Sequence, residues 1–264
     1  MSLVFGAITP HPPLLVPTIG GENLRQVKKT ADALRELEGD LYASKPDTLL
    51  IISPHGPVAP DNYLINVAPE LTSDLEQFGD FSTKLKFSSD LELASQIEEA
   101  AEDQSVPLNL VDQPALDHGS SVPLLYLSQH LENIKILPIS YSLLDLASHF
   151  KFGELMGHEI VKSNKRIAVI ASGDLSHRLT EGAPAGYSPE AKKFDQDLVK
   201  LIEDKNIEGL LNLDPAVIEE AGECGLRSFI ILFGIFSQSE FETKILSYEG
   251  PFGVGYLVSS LTLK

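Results

Sequence analysis

The sequence has one cysteine, no tryptophan and two methionines in 264 residues. A lone thiol, Cys224, excludes an internal disulfide and fits a reducing cytoplasm. Cations are scarce as well: 20 Lys and Arg face 38 Asp and Glu, a formal charge of -18. That surplus argues against nucleic acid, or an anionic membrane, as the main partner. No apolar run reaches the about 18 residues that a membrane helix needs. The opening stretch, Met-Ser-Leu-Val-Phe-Gly-Ala-Ile-Thr-Pro-His, has no basic leader region and reads as a first strand, not a signal peptide. Common catalytic signatures are missing too. There is no P-loop, no glycine-rich dinucleotide turn and no Gly-x-Ser-x-Gly elbow. His158-Glu159 begins a His-Glu-x-x-His zinc motif, but Lys162 stands where the second histidine belongs.

What remains is a globular composition, 43% apolar and 22% charged. Short β-branched runs predict strands at 3–8, 48–53, 63–67, 134–139, 167–171, 244–248 and 254–261. Helical periodicity lies between many of them. The clearest case is 23–41, where Leu24, Val27, Ala31, Leu34 and Leu37 recur at three- and four-residue steps. Further helices are predicted at 91–101, 122–131, 143–161, 189–203, 215–220 and 226–236. Alternating strands and helices imply an α/β layer architecture, and the strand-rich stretch 63–87 makes the sheet a mixed one. No Pro/Gly/Ser-rich linker or repeat divides the chain, so one domain over residues 1–264 is expected.

Four of the seven histidines share a placement. His11, in Thr-Pro-His-Pro-Pro, follows the first predicted strand, and His55, in Ser-Pro-His-Gly-Pro, follows the second. His177 ends Ser-Gly-Asp-Leu-Ser-His, just after the 167–171 strand, and His118 lies in Asp-His-Gly-Ser-Ser before a helix. Ligands of open α/β sheets bind at the carboxyl ends of strands. Any one of these histidines alone would read as a surface residue. Four at equivalent positions point to a metal or catalytic site. His130, His149 and His158 fall on amphipathic helical patterns and are expected on solvated faces. Cys224, in Ala-Gly-Glu-Cys-Gly-Leu-Arg, precedes an apolar helix whose dipole is expected to lower its thiol pKa. Glu223 or Cys224 would supply an anionic ligand. Neighbouring residues rarely both point inward, so one of the two is expected, not both.

The ordered set Pro-His-Pro-Pro, Ser-Pro-His-Gly, Asp-His-Gly, Gly-Asp-Leu-Ser-His and Glu-Cys-Gly resembles the class III extradiol ring-cleavage dioxygenases of the LigB type. Within that group it is most similar to the Memo-like branch, also called AmmeMemoRadiSam system protein B. The resemblance runs from about His11 to Arg227. It implies a three-layer α/β/α fold with a central mixed β-sheet and an Fe(II) site at the sheet edge. His11 and His55 match the two metal-binding histidines, and His177 the catalytic base. His118 matches a histidine beside substrate and oxygen, and Asp174 an acidic residue of the Memo-like site. The third ligand is a glutamate in the dioxygenases and a cysteine in the Memo-like branch, which brings in Glu223 or Cys224. The implied activity is opening of a catechol-like aromatic ring by O2. The Memo-like alternative is a metal-binding redox or partner-interacting protein without ring cleavage, and a thiolate ligand would suit zinc or copper as well as iron. The small helical subunit of the two-subunit dioxygenases is not part of this chain, which leaves a homo-oligomer or another protein partner open. Tyr126, Tyr141, Tyr187 and Phe252 are candidate pocket aromatics, though packing is the commoner role for each. The turn-rich stretch 180–188 would be a surface connection or a lid.

Overall fold

The computed structural model describes residues 2–264. In chain order its strands are β1 (Leu3–Thr9), β2 (Thr48–Ser53), β3 (Tyr63–Asn66), β4 (Glu70–Ser73), β5 (Lys86–Ser89), β6 (Leu108–Val111), β7 (Ala115–Leu116), β8 (Lys135–Ser140), β9 (Ile167–Ser172), β10 (Phe241–Glu249) and β11 (Tyr256–Leu263). Its α-helices are α1 (Pro17–Gly20), α2 (Lys28–Ser44), α3 (Leu91–Asp103), α4 (His118–Leu127), α5 (Leu146–Lys162), α6 (Ala191–Glu203), α7 (Ile207–Leu211), α8 (Pro215–Ala221) and α9 (Leu226–Phe236).

The two-residue period of a strand sends alternate side chains to opposite faces. Along β9, Ile167, Val169 and Ala171 enter one core, and Ala168 and Ile170 enter another. Leu50 and Ile52 of β2 join the first core, and Leu49 and Ile51 the second. Both faces are therefore dry, which is why these strands read as unbroken apolar runs. Phe152 of α5, Phe194 of α6 and Phe229 of α9 cover the first face. Leu34 of α2 and Val122 of α4 cover the second. The result is a three-layer α/β/α architecture around a mixed sheet. The strand order is β10-β11-β1-β9-β2-β8-β5-β4-β7, with β3 pairing β6 and β8. β1, β9, β2 and β8 run parallel to their neighbours in that central stretch, while β11 and β10 close one side antiparallel.

Register sets the site. Thr9 pairs with Ser172, Ile52 with Ala171 and Ser53 with Ser140. The carboxyl ends of β1, β9, β2 and β8 are thus level, and the loops leaving them start from one line.

Several boundaries differ from the sequence reading for local reasons. The 23–41 pattern begins as a 3-10 turn, Gly21–Arg25, before α2 takes over. α4 starts at His118 because the Asp117 side chain caps it through Ser120 N–H, and α5 starts at Leu146 because Asp145 caps it through Ser148 N–H. α7 is a single short turn capped by Asn206, too brief for periodicity to reveal. One expectation is corrected outright. His130 and His158 are exposed, but His149 is buried, its Nδ1 2.7 Å from the Asp145 carbonyl and its Nε2 3.1 Å from that of Ser142. The first turn of α5 presses it edge-on against the Tyr63 ring, 5.3 Å between centroids. Among the described residues, no helix is long and apolar enough to cross a membrane.

At the opposite edge of the sheet, Asp90 is fully buried and caps α3. It accepts hydrogen bonds from Thr48 Oγ1 and Lys165 Nζ, each at 2.6 Å. Burial works against its charge, yet these bonds hold its pKa below the usual carboxylate value. Removing one partner of a buried charged pair typically costs about 3–5 kcal/mol. Asp90→Ala is expected to lose stability on that scale in urea denaturation while leaving the native fold, read by circular dichroism, unchanged.

Candidate metal centre

The centre is built upward from one backbone carbonyl. Pro123 lies inside α4 and has no N–H to give the carbonyl four residues earlier, that of Gly119. Ser172, the last residue of β9, donates its hydroxyl proton to that free carbonyl. A hydroxyl has one proton, so Ser172 Oγ can only accept from His11 Nδ1, 2.9 Å away. The proton of His11 is thereby fixed on Nδ1, and Nε2 presents a bare lone pair. The backbone N–H of His11 donates to Asp174 Oδ1 at 3.0 Å, which fixes the residue along the chain as well.

His55 faces that lone pair, its Nε2 2.9 Å from His11 Nε2. His118 stacks on His55 with centroids 4.2 Å apart and meets His11 at 5.4 Å. The ligand atoms of His11, His55 and His118 all lie within 4.8 Å of one another. The loops are tied from below: Ser53 Oγ donates to Asp117 Oδ1 and accepts the His55 backbone N–H at 3.2 Å. Phe78 packs edge-on against His118 at 5.1 Å.

Asp174 and Cys224 stand on the same histidine. Asp174 Oδ2 is 3.7 Å from His11 Nε2, and so is Cys224 Sγ. The backbones beneath them touch: Cys224 N–H and Gly225 N–H both donate to the Asp174 carbonyl, at 3.2 and 3.1 Å. A side chain on Gly173 would place its Cβ 2.1 Å from Gly225 Cα, so only glycine permits this approach. Glu223 goes elsewhere. Its Oε2 accepts the Leu226 N–H at 2.6 Å, and the residue lines a separate cavity. His177 Nδ1 lies 3.0 Å from the Leu175 carbonyl, so that nitrogen carries the proton and Nε2 is left as an acceptor.

Burial lowers the pKa of all four imidazoles, and their mutual repulsion adds to it for His11 and His55. His55 falls to about 4. Burial raises Asp174 and Glu223 to about 7. It also pushes the Cys224 thiol well up, reinforced by the Asp174 and Glu223 carboxyls. The expectation that a helix N-terminus lowers this thiol is therefore corrected: without a cation, desolvation and two nearby acids outweigh the dipole.

The sequence-derived candidates His11, His55, His118, Asp174 and Cys224 come together, with His177 near enough to depress His11 and His55. Glu223 does not join them. Of the candidate aromatics, Tyr126 is buried with its hydroxyl on the Leu15 carbonyl, and Tyr187 is exposed. Phe252 packs on the second core, and Tyr141 donates to the Cys224 carbonyl at 3.3 Å. The 180–188 stretch is tied back to the residues before it, Ala185 N–H to His177 O and Ser188 N–H to Arg178 O. Ser172, Ser53, Pro123 and Phe78 were not singled out from sequence. A signal for the serines exists: Thr9, Ser53 and Ser172 each end an apolar strand two residues before His11, His55 and Asp174.

The donor set fits a transition metal. A separation of 2.9 Å lets both Nε2 atoms reach one cation at the usual metal–nitrogen distance of about 2.0–2.1 Å. The hydrogen-bonded Nδ1 of His11 is the outer support that metal-ligating histidines ordinarily carry. Ser172→Ala is expected to weaken metal affinity about 10–100-fold in chelator competition, with the circular dichroism spectrum unchanged. The pH dependence has a definite sign. His55 titrates near 4 in the folded chain and near 6.5 when unfolded, so the unfolded state takes up the proton first as pH falls. Stability from His55 is complete above about pH 6.5 and is lost towards pH 4. Asp174 and Glu223 slope the other way, so the contrast with His55→Gln isolates the effect. The metal-free variant should gain stability relative to the parent across that window.

Comparison with known proteins accords with this geometry. Protein CA_C1420 of Clostridium acetobutylicum is 33% identical over 270 residues, which cover 99% of this chain but 58% of that protein. The chain therefore spans less than two thirds of that relative. The 3,4-dihydroxyphenylacetate 2,3-dioxygenase of Escherichia coli is 25% identical over 91% of this chain and 92% of its own. The 4,5-DOPA dioxygenase extradiol of Beta vulgaris is 26% identical over 68% and 66%. The crystal structure of an uncharacterised Escherichia coli K12 protein, JW3007, superposes with a TM-score of 0.71 over 98% of this chain and 99% of that one. Its 16% identity makes this a likeness of fold. Residues 6–259 match the family described as the catalytic LigB subunit of aromatic ring-opening dioxygenase, and the chain belongs to that LigB family.

Proposed function

We propose that this protein is an Fe(II)-dependent extradiol dioxygenase acting on a catechol-like aromatic. The observation that carries the reading is the convergence of His11, His55 and His118 at the strand ends, with the lone pair of His11 bared by Ser172. His11 and His55 would hold the cation, with Cys224 or His118 beside them for a third position. Bound there, Fe(II) would acidify a catechol hydroxyl and bring the ring and O2 to one centre.

The remaining steps belong to the chain. His177 offers Nε2 as the acceptor for a phenolic proton, and burial keeps it neutral and competent at physiological pH. Asp174 holds the His11 backbone in place, and the stacked His118 is positioned to hydrogen-bond substrate beside the Phe78 ring. In balance, one catechol and one O2 give one hydroxymuconic semialdehyde, with both oxygen atoms retained. The 3,4-dihydroxyphenylacetate and the DOPA in the names of two relatives support this substrate class.

A second reading is a Memo-like metal protein without ring cleavage. One observation favours it: Cys224, not Glu223, faces His11. A softer thiolate suits zinc or copper and is open to oxidation.

Protein purified without air, loaded with Fe(II) and then given catechols under air is expected to form a yellow product carrying both atoms of labelled O2. His177→Gln should slow turnover about 10²–10⁴-fold while keeping its iron. An iron-loaded protein that consumes neither catechol nor O2 would sink the ring-cleavage reading. For the third position, Cys224→Ser is expected to lower iron content and Glu223→Gln to leave it unchanged. The reverse pattern would contradict the assignment.

A further inference from the structure

The first turn of α5 and the α7–α8 segment flank a second cavity of about 720 Å³, open to solvent. Its walls are apolar: Leu143, Leu144, Leu146, Leu211, Leu213 and Ile218. Leu143 is left 58% exposed there.

Arg227, in the first turn of α9, stands in this leucine lining. Its Nε is buried and meets no hydrogen-bond partner. Among the described residues it enters no ion pair. Glu223 lines the same cavity close enough for its carboxyl to feel the Arg227 charge, but its Oε2 accepts the Leu226 N–H and no ion pair forms. The Tyr141 ring, 5.9 Å from the guanidinium carbon, supports the cation from one side without neutralising it. A buried Nε is out of a ligand's reach; the two Nη atoms, which make no hydrogen bond and are not closed off from solvent, are the donors an anion can meet. The guanidinium fork matches a carboxylate. The two other acids of the lining, Asp145 and Glu219, are exposed and screened by solvent, and they disfavour a ligand of several negative charges more than one of a single charge.

We propose that this cavity binds a monocarboxylate with an apolar body, its carboxylate paired to Arg227 and its hydrocarbon laid against the leucine wall. The site is separate from the histidine cluster, and its occupancy does not depend on the ring-cleavage reading. The hydrocarbon can be aliphatic, as in a fatty acid, or aromatic, as in an arylalkanoic acid.

The test is calorimetric titration of the metal-free full chain with octanoate and 3-phenylpropionate, each beside its neutral amide. At least one acid is expected to bind, with its amide at least tenfold weaker. The tighter acid assigns the aliphatic or aromatic source. Arg227→Gln should weaken the acid at least tenfold and leave iron loading at the histidine cluster unchanged. Leu213→Trp, which fills the cavity, should abolish binding of the acid. If Arg227→Gln does not fold, the acid–amide contrast and Leu213→Trp decide. Failure of both acids to bind overturns the proposal. So does equal binding of acid and amide, undiminished binding by folded Arg227→Gln, or undiminished binding by Leu213→Trp.

Discussion

The lone pair on His11 Nε2 is the constraint on which the rest of the site turns. An isolated imidazole can carry its proton on either nitrogen, and only one choice leaves the inward nitrogen free for a cation. Here the choice is made by parts of the chain distant in sequence. Pro123 withholds an N–H, Gly119 has a carbonyl to offer, and Ser172 passes the resulting polarity to His11 Nδ1. α4, β9 and the loop after β1 are thereby joined at one atom. The level strand ends set by the sheet register make that junction geometrically available.

Electrostatics follows from the same packing. Four imidazoles with depressed pKa values form a neutral, donor-rich pocket, and the nearby Asp174 is raised towards protonation. Without a cation the pocket carries little charge of its own, although the molecule as a whole is strongly acidic. A bound cation would reverse this balance, stabilising the carboxylate of Asp174 and the thiolate of Cys224 together.

Much of this is legible in the sequence alone. Strands 48–53 and 167–171 were visible because burial on both faces leaves no polar interruption, and helix 226–236 because its ends are marked by Gly225 and a polar run. The histidine loops stood out because strand ends are where such sheets bind ligands. What escaped were features fixed by tertiary contact. His149 looks like a surface residue by period, but the turn entering α5 folds it under Tyr63. Glu223 and Cys224 are indistinguishable as candidates in sequence. The contact of Gly173 with Gly225 turns the thiol towards His11 and the carboxyl towards α9. The thiol pKa escapes the sequence because a dipole can be read from a helix start, whereas desolvation cannot.

The account stands or falls on imidazoles from separate loops sharing one ion. X-ray absorption on protein loaded anaerobically with Fe(II) tests this most directly. One iron per chain is expected, with imidazole scattering from at least two histidines that diminishes in His11→Ala and in His55→Ala. Iron absent from the intact chain, or bound with the same spectrum after both substitutions, would contradict it.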